Sequence, residues 1–194
     1  MSGAGPPDSP VVRRTAALSI VLALALTAAA SAQTPGSYSG PVHCTGEDRY
    51  APGGRVVRFA SDPTATAVYG PSGALTGWTY FFLGRPDLVI QARAVQRGQR
   101  FAYRAGKHIH HAGKTVVTVV AATATTVNAK LDWESNAGDY VGSGTFGLRL
   151  TPTSTGGIDY QAIKSVVKVP AGRKPDRRHP VVRRSELCSG PLSP

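Results

Sequence analysis

Cysteine is scarce in this chain, with only two among 194 residues, at positions 44 and 188. Neither belongs to a Cys-x-x-Cys pair, which argues against a dithiol redox centre, and two thiols so far apart make a poor metal site. A Gly-x-Ser-x-Gly nucleophile elbow is also missing, and the presence of Ser, His and Asp somewhere in a chain carries no catalytic information by itself. Acidic residues are few, 11 against 22 Lys and Arg. Beyond residue 32 no stretch shows the apolar stripe of an amphipathic helix, so a helical bundle and an alternating βα fold are both disfavoured.

The one long apolar run lies near the start, from Ala16 to Ala30. Arg13 and Arg14 precede it, and Ala30-Ser31-Ala32 follow it ahead of Gln33, the three-part layout of a cleavable secretory signal. The run is shorter than the ~20 residues a membrane-crossing helix needs, so a permanent anchor is the weaker reading. Thr15-Ala16-Ala17 after the arginines favours the general secretory route over the twin-arginine one. Residues 1–32, including a Gly- and Pro-rich extension, are therefore set aside as leader. The product is expected to be exported, periplasmic or secreted, with no transmembrane segment in its mature part.

The remaining 162 residues suit one domain. In an oxidising compartment two cysteines usually bridge, so a Cys44–Cys188 disulfide is expected. Setting aside Arg13, Arg14 and Asp8 leaves 20 basic residues against 10 acidic ones. Such an excess favours contact with polyanions, and outside the cytoplasm these include lipopolysaccharide and anionic lipid.

Alternation with a period of two dominates the mature chain. From Tyr140 to Thr151 the apolar positions Tyr140, Phe146, Leu148 and Leu150 share one face with Gly142 and Gly144. Between Val127 and Glu134 the residues Val127, Ala129, Leu131 and Trp133 point one way, while Asn128, Lys130, Asp132 and Glu134 point the other. Ser135 to Asp139 supplies turn chemistry, which predicts a hairpin. A second hairpin is predicted from Leu88–Val95 through Arg97-Gly98 into Phe101–Tyr103. Short strands are expected at 55–60 and 64–69, a two-sided buried strand at 78–82, another at 115–126 and a last one at 158–169. These features predict an all-β fold, an antiparallel meander closing into a barrel of about eight strands, with a β-sandwich as the alternative. Residues 33–169 form the β domain. Residues 170–194, rich in proline and charge, are read as an extended basic tail pinned back by Cys188.

Gly36-Ser37-Tyr38-Ser39-Gly40 resembles the Gly-x-Trp opening of lipocalin-like barrels, with Tyr38 in place of the tryptophan. The resemblance is confined to this opening, and no family is assigned on it. Gly142-Ser143-Gly144-Thr145-Phe146-Gly147 matches a dinucleotide fingerprint by spacing. That fingerprint works where a strand turns into a helix, and here it lies inside a strand, where glycines permit curvature.

Three sets of residues remain as candidate sites. Trp78, Tyr80, Phe82, Phe101, Tyr103, Trp133, Tyr140 and Phe146 could line a cavity for a small apolar or amphipathic ligand, or form the core. Arg173, Lys174, Arg177, Arg178, Arg183 and Arg184 could meet an anionic envelope component such as lipopolysaccharide or anionic lipid; no aromatic residue accompanies them for base stacking. His108 and His110, two apart on a strand, could share a metal ion, with a third ligand supplied from elsewhere. Asp132 and Glu134 read as a hydrated outer face. No catalytic residue and no cofactor are expected, and the first reading is a non-enzymatic exported binding protein.

Overall fold

The structure, a computed structural model, describes residues 33–194 except 83–84, 93 and 105–112. The expected signal segment and the His108/His110 pair lie outside the described residues. Among the described residues there are twelve strands and no helix: β1 (Gly36–Pro41), β2 (His43–Ala51), β3 (Val56–Ser61), β4 (Thr64–Tyr69), β5 (Leu75–Phe82), β6 (Arg85–Gln91), β7 (Arg100–Arg104), β8 (Gly113–Ala122), β9 (Thr126–Ser135), β10 (Tyr140–Pro152), β11 (Ile158–Pro170) and β12 (Val181–Leu192). All the ladders between them are antiparallel. A small sheet has the order β1-β4-β5-β6 and a large one the order β3-β2-β12-β11-β10-β9-β8-β7.

The hairpin of β9 and β10 forms as the alternation predicts, with Glu134 opposite Val141. Its turn is set by Ser135, whose hydroxyl donates to Asp139 and accepts from the Tyr140 amide. Gly138 takes a φ of 71°, which glycine adopts without a Cβ penalty. Val127, Ala129, Leu131 and Trp133 are all buried, as are Phe146, Leu148 and Leu150.

The second predicted hairpin does not form. β6 pairs with β5, and β7 pairs with β8. The stretch between them is tied first to β5, by Ala92 and Val95 amides donating to Thr76 and Leu75, and then to β8, by the Gly98 amide donating to Val119. The Arg97-Gly98 turn therefore carries the chain from one sheet to the other. Alternation marks a strand but is silent about its partner.

The expected tail is also different. Residues 181–192 form β12, an inner strand between β11 and β2, so Ile158–Pro170 is not the last strand. The period of two was present there, with Arg184, Glu186, Cys188 and Leu192 all inward, but two of the four inward residues are charged and mask it.

No closed barrel is found among the described residues. β1 runs into β2 through Val42, and β3 into β4 through Asp62 and Pro63, so these two bent pairs belong to both sheets in turn. A bridge between Ser39 and Ser193 ties β1 to the end of β12. Among the described residues no ladder joins β6 to β7, and the twelve strands divide into sheets of four and eight in place of a barrel of about eight. One apolar core contains residues of both sheets. At its centre Trp78 of β5 stacks on Phe146 at 6.2 Å and meets Phe101 edge-on at 5.9 Å. Across the same core, the buried Tyr160 hydroxyl donates to the Thr79 carbonyl at 2.8 Å.

Candidate functional site

Further along the inner face of the large sheet the register places charge where apolar residues would be expected. On β11 the inward positions after Ala162 are Lys164, Val166 and Lys168; on β12 they are Arg184 and Glu186; on β2 it is Asp48. Lys164 lies opposite Glu186, Val166 opposite Arg184, and Arg184 opposite Asp48. All five charged residues are buried, none more than 6% exposed. Arg184 grips Asp48 with two parallel hydrogen bonds, Nε to Oδ1 at 2.7 Å and Nη2 to Oδ2 at 2.6 Å. The Lys164 ammonium lies 2.5 Å from a Glu186 oxygen.

Lys168 is the third cation, and its Nζ sits 3.7 Å from the centre of the Trp133 ring. Gly142 separates these two residues in the ladder, and a Cβ there would lie 3.2 Å from Lys168 Cγ, so the bare glycine lets the lysine lie across to the indole. At Gly144 a Cβ would come within 2.0 Å of the Ser165 carbonyl. The glycines of the fingerprint-like run thus permit close backbone approach within β10.

Burial, and then the neighbouring positive charges of Arg184 and Lys164, push the Lys168 amine down to about 7, with Asp48 acting the other way. The Trp133 face also favours the charged form, by about 0.5–2 kcal/mol. The unfolded chain keeps the proton up to about pH 10.5, the ordinary lysine value. Between pH 7 and that value the unfolded state binds more protons, so this group makes stability rise with pH; below pH 7 its penalty is complete and flat. Lys168→Met should therefore flatten the dependence of unfolding free energy on pH across this window, a slope of at most ~1.4 kcal/mol per pH unit. Urea melts at pH 7 and pH 9.5 measure it; identical slopes in the two proteins would contradict the assignment.

A cavity of about 10 Å³, room for about one water, is lined by Thr115, Leu131, Trp133, Lys164, Val166, Lys168 and Arg184. A second of the same size touches Phe146, Ala162, Lys164, Glu186 and Cys188. Of the eight aromatic candidates, Trp133 lines the first cavity and Phe146 the second. Trp78, Phe101 and Phe146 pack on one another in the core, while Tyr103 and Tyr140 are half-buried on β7 and β10. Tyr80 and Phe82 lie on β5, and their side chains are outside the described residues.

The basic candidates divide. Arg184 is inward and bound to Asp48, so it is not part of a basic surface. Arg183 is outward and exposed on the same strand, and Arg173, Lys174, Arg177 and Arg178 are exposed in the loop 171–180. Asp176 shapes that loop by accepting from the Arg178 and His179 amides at 2.8 and 2.6 Å, bonds that hold its carboxyl below the ordinary aspartate value. Arg173 contacts His179 at 3.0 Å.

Because β12 pairs with β2, this loop emerges beside the turn at 52–55, with Val181 opposite Ala51. Arg183 faces Arg49 directly, and on the next strand Arg58 faces Glu47. Glu47 is shared between Arg49 and Arg58, and Arg55 in the turn lies 5.5 Å above the Tyr50 ring. The result is one edge bearing Arg49, Arg55, Arg58, Arg173, Lys174, Arg177, Arg178 and Arg183, against Glu47, Asp176 and Asp139 of the adjoining turn. Sequence reading missed Arg49, Arg55 and Arg58, since only the β2–β12 ladder brings them to the loop.

The chain matches no known family model and no curated protein. Among the described residues no group of three or more His, Cys, Asp or Glu could hold a metal ion, and no helix is long and apolar enough to cross a membrane.

Proposed function

We propose that this chain is a non-enzymatic exported protein that docks on a phosphate-bearing lipid surface, lipopolysaccharide or anionic lipid, through its arginine-rich edge. The observation that carries the reading is Arg183 directly opposite Arg49, both exposed, at the centre of that edge. Like charges facing each other across an antiparallel ladder are destabilising by some tenths of a kcal/mol, a cost that a bound polyanion relieves. The rigid sheet presents the arginines with little further ordering, and arginine suits phosphate through its planar fork of donors. The Cys44–Cys188 disulfide fits an oxidising compartment. The packing of Trp78, Phe101 and Phe146 against one another favours this reading over a small apolar ligand held among them.

Co-sedimentation with vesicles tests it. Wild-type protein should bind vesicles containing phosphatidylglycerol or lipopolysaccharide, bind pure phosphatidylcholine poorly, and weaken steeply between 50 and 300 mM salt. Arg49→Glu/Arg183→Glu should lower the anionic affinity about tenfold or more, at roughly 1 kcal/mol per cation near such a surface. Lys130→Glu/Arg149→Glu changes the net charge equally elsewhere on the sheet and should cost much less. Equal losses in the two variants, or binding indifferent to salt, would count against the edge.

A further inference from the structure

Val56, Val141, Ile163, Val169 and Leu187, each between 37% and 53% exposed, share the outer face of the large sheet. The ladders place three of them beside the arginines. Val141 is directly opposite Val169, and two residues back along β11 the half-buried Val167 is directly opposite Arg183. Arg183 faces Arg49, which faces Val56. Same-face neighbours on a strand are ~6.8 Å apart, so valines and arginines form one patch at the end of the sheet where the loop 171–180 emerges. Beyond Val141 in its row comes Glu134, which stands opposite Lys114.

A soluble polyanion would satisfy these arginines and leave the valines in water. A packed lipid layer offers both chemistries, phosphates at headgroup level and hydrocarbon just beneath. We infer that Val141, Val167 and Val169 enter the boundary between headgroups and acyl chains when the arginine edge docks, so that the partner is an assembled anionic lipid layer. This rests on the docking of that edge and gives it a depth. A second copy of the chain fits the patch less well. A symmetric pair would set the same arginines against one another, and a few half-exposed valines supply little of the ~800 Å² per partner that a stable interface buries.

The two kinds of contact respond differently to salt. Attraction between arginine and phosphate is screened, whereas burial of a valine in hydrocarbon is not. Val141→Thr/Val169→Thr keeps the net charge and the β-branched shape that suits a strand, and removes apolar surface only. Ile163→Thr/Leu187→Thr makes the same kind of change at a directly opposed pair six residues along β11 from Val169, ~20 Å away.

The test measures co-sedimentation of the intact protein with phosphatidylglycerol vesicles at several salt concentrations, together with the fluorescence of Val169→Trp. Val141→Thr/Val169→Thr should lower the affinity about fivefold or more at every salt concentration, with the salt dependence of the wild type. Ile163→Thr/Leu187→Thr should cost much less. The tryptophan at 169 should shift to the blue on the vesicles and be quenched by lipids brominated on the acyl chain; the native Trp78 and Trp133 are buried and serve as the background. Salt-dependent binding that is unchanged in Val141→Thr/Val169→Thr, or a tryptophan at 169 that acyl bromines do not quench, would overturn the inference and leave the arginine edge standing. Equal losses in the two threonine variants would overturn the placement at the valines. A wild-type dimer in sedimentation that Val141→Thr/Val169→Thr dissolves, with vesicle binding unchanged, would assign the patch to a second copy instead. No binding of the wild type to these vesicles at any salt concentration would overturn the docking edge and this inference together.

Discussion

Asp48→Ala should destabilise the domain by about 3–5 kcal/mol, the usual cost of leaving a buried charge without its counter-ion. Asp48 and Arg184 occupy neighbouring strands and are joined by two hydrogen bonds in a region closed to water. Once the carboxylate is gone, Arg184 cannot shed its charge, and it remains beside Lys164 and Lys168 with one fewer negative group in reach. Asp48→Leu with Arg184→Met removes both charges and keeps the volume apolar. That double variant should recover most of the loss, because the desolvation of two ions disappears with their attraction. Urea unfolding measures both, and an unchanged slope with denaturant would show that the midpoint shift is one of stability. A single variant costing less than about 1 kcal/mol would mean that the pair is reached by water after all.

Replacing both cysteines with alanine should cost a comparable amount, about 3–5 kcal/mol. Cys44 and Cys188 are 144 residues apart in sequence. Closing so long a loop in the unfolded chain removes entropy equivalent to ~5 kcal/mol in the chain-entropy model, an upper figure because unfolded chains keep some structure. In the folded state the same bond joins directly opposed residues of β2 and β12, both fully buried. A reductant should therefore act only through opened molecules, at a rate that follows unfolding. Urea melts of the double variant and of the wild type give the cost. Coincident midpoints would show that the ladder alone holds β12 in place.

How much of this could be read from the residues depends on what alternation conveys. It conveyed the β9–β10 hairpin and its inner face, since Val127, Ala129, Leu131 and Trp133 leave no doubt about which side is dry. It could not convey that β6 would pair with β5, because a strand's face and its partner are separate pieces of information. β12 was missed for a different reason: arginine and glutamate at inward positions look like a solvated tail unless their partners are known. Yet the partners were within reach. In an antiparallel ladder the numbers of facing residues add to a constant total, so a Cys44–Cys188 bond read as a cross-strand pair already places Arg184 opposite Asp48, Glu186 opposite Gly46 and Arg183 opposite Arg49. The expected disulfide held the register of the buried charges and of the basic edge. What it could not supply is Lys168 over Trp133, which depends on the missing side chain of Gly142 on the strand between them.

The place of β12 in the large sheet has a consequence for the order of assembly. It follows the other described strands, yet it stands between β2 and β11, which belong to opposite halves of the described sequence. During synthesis β7 to β11 can zip together by successive hairpins, and β2 can fold back on β3, but the two pieces stay unjoined with an unpaired edge on each. Only β12 joins them, pairs Asp48 with Arg184 and brings the two thiols together. Joining the two halves of the large sheet therefore waits for β12.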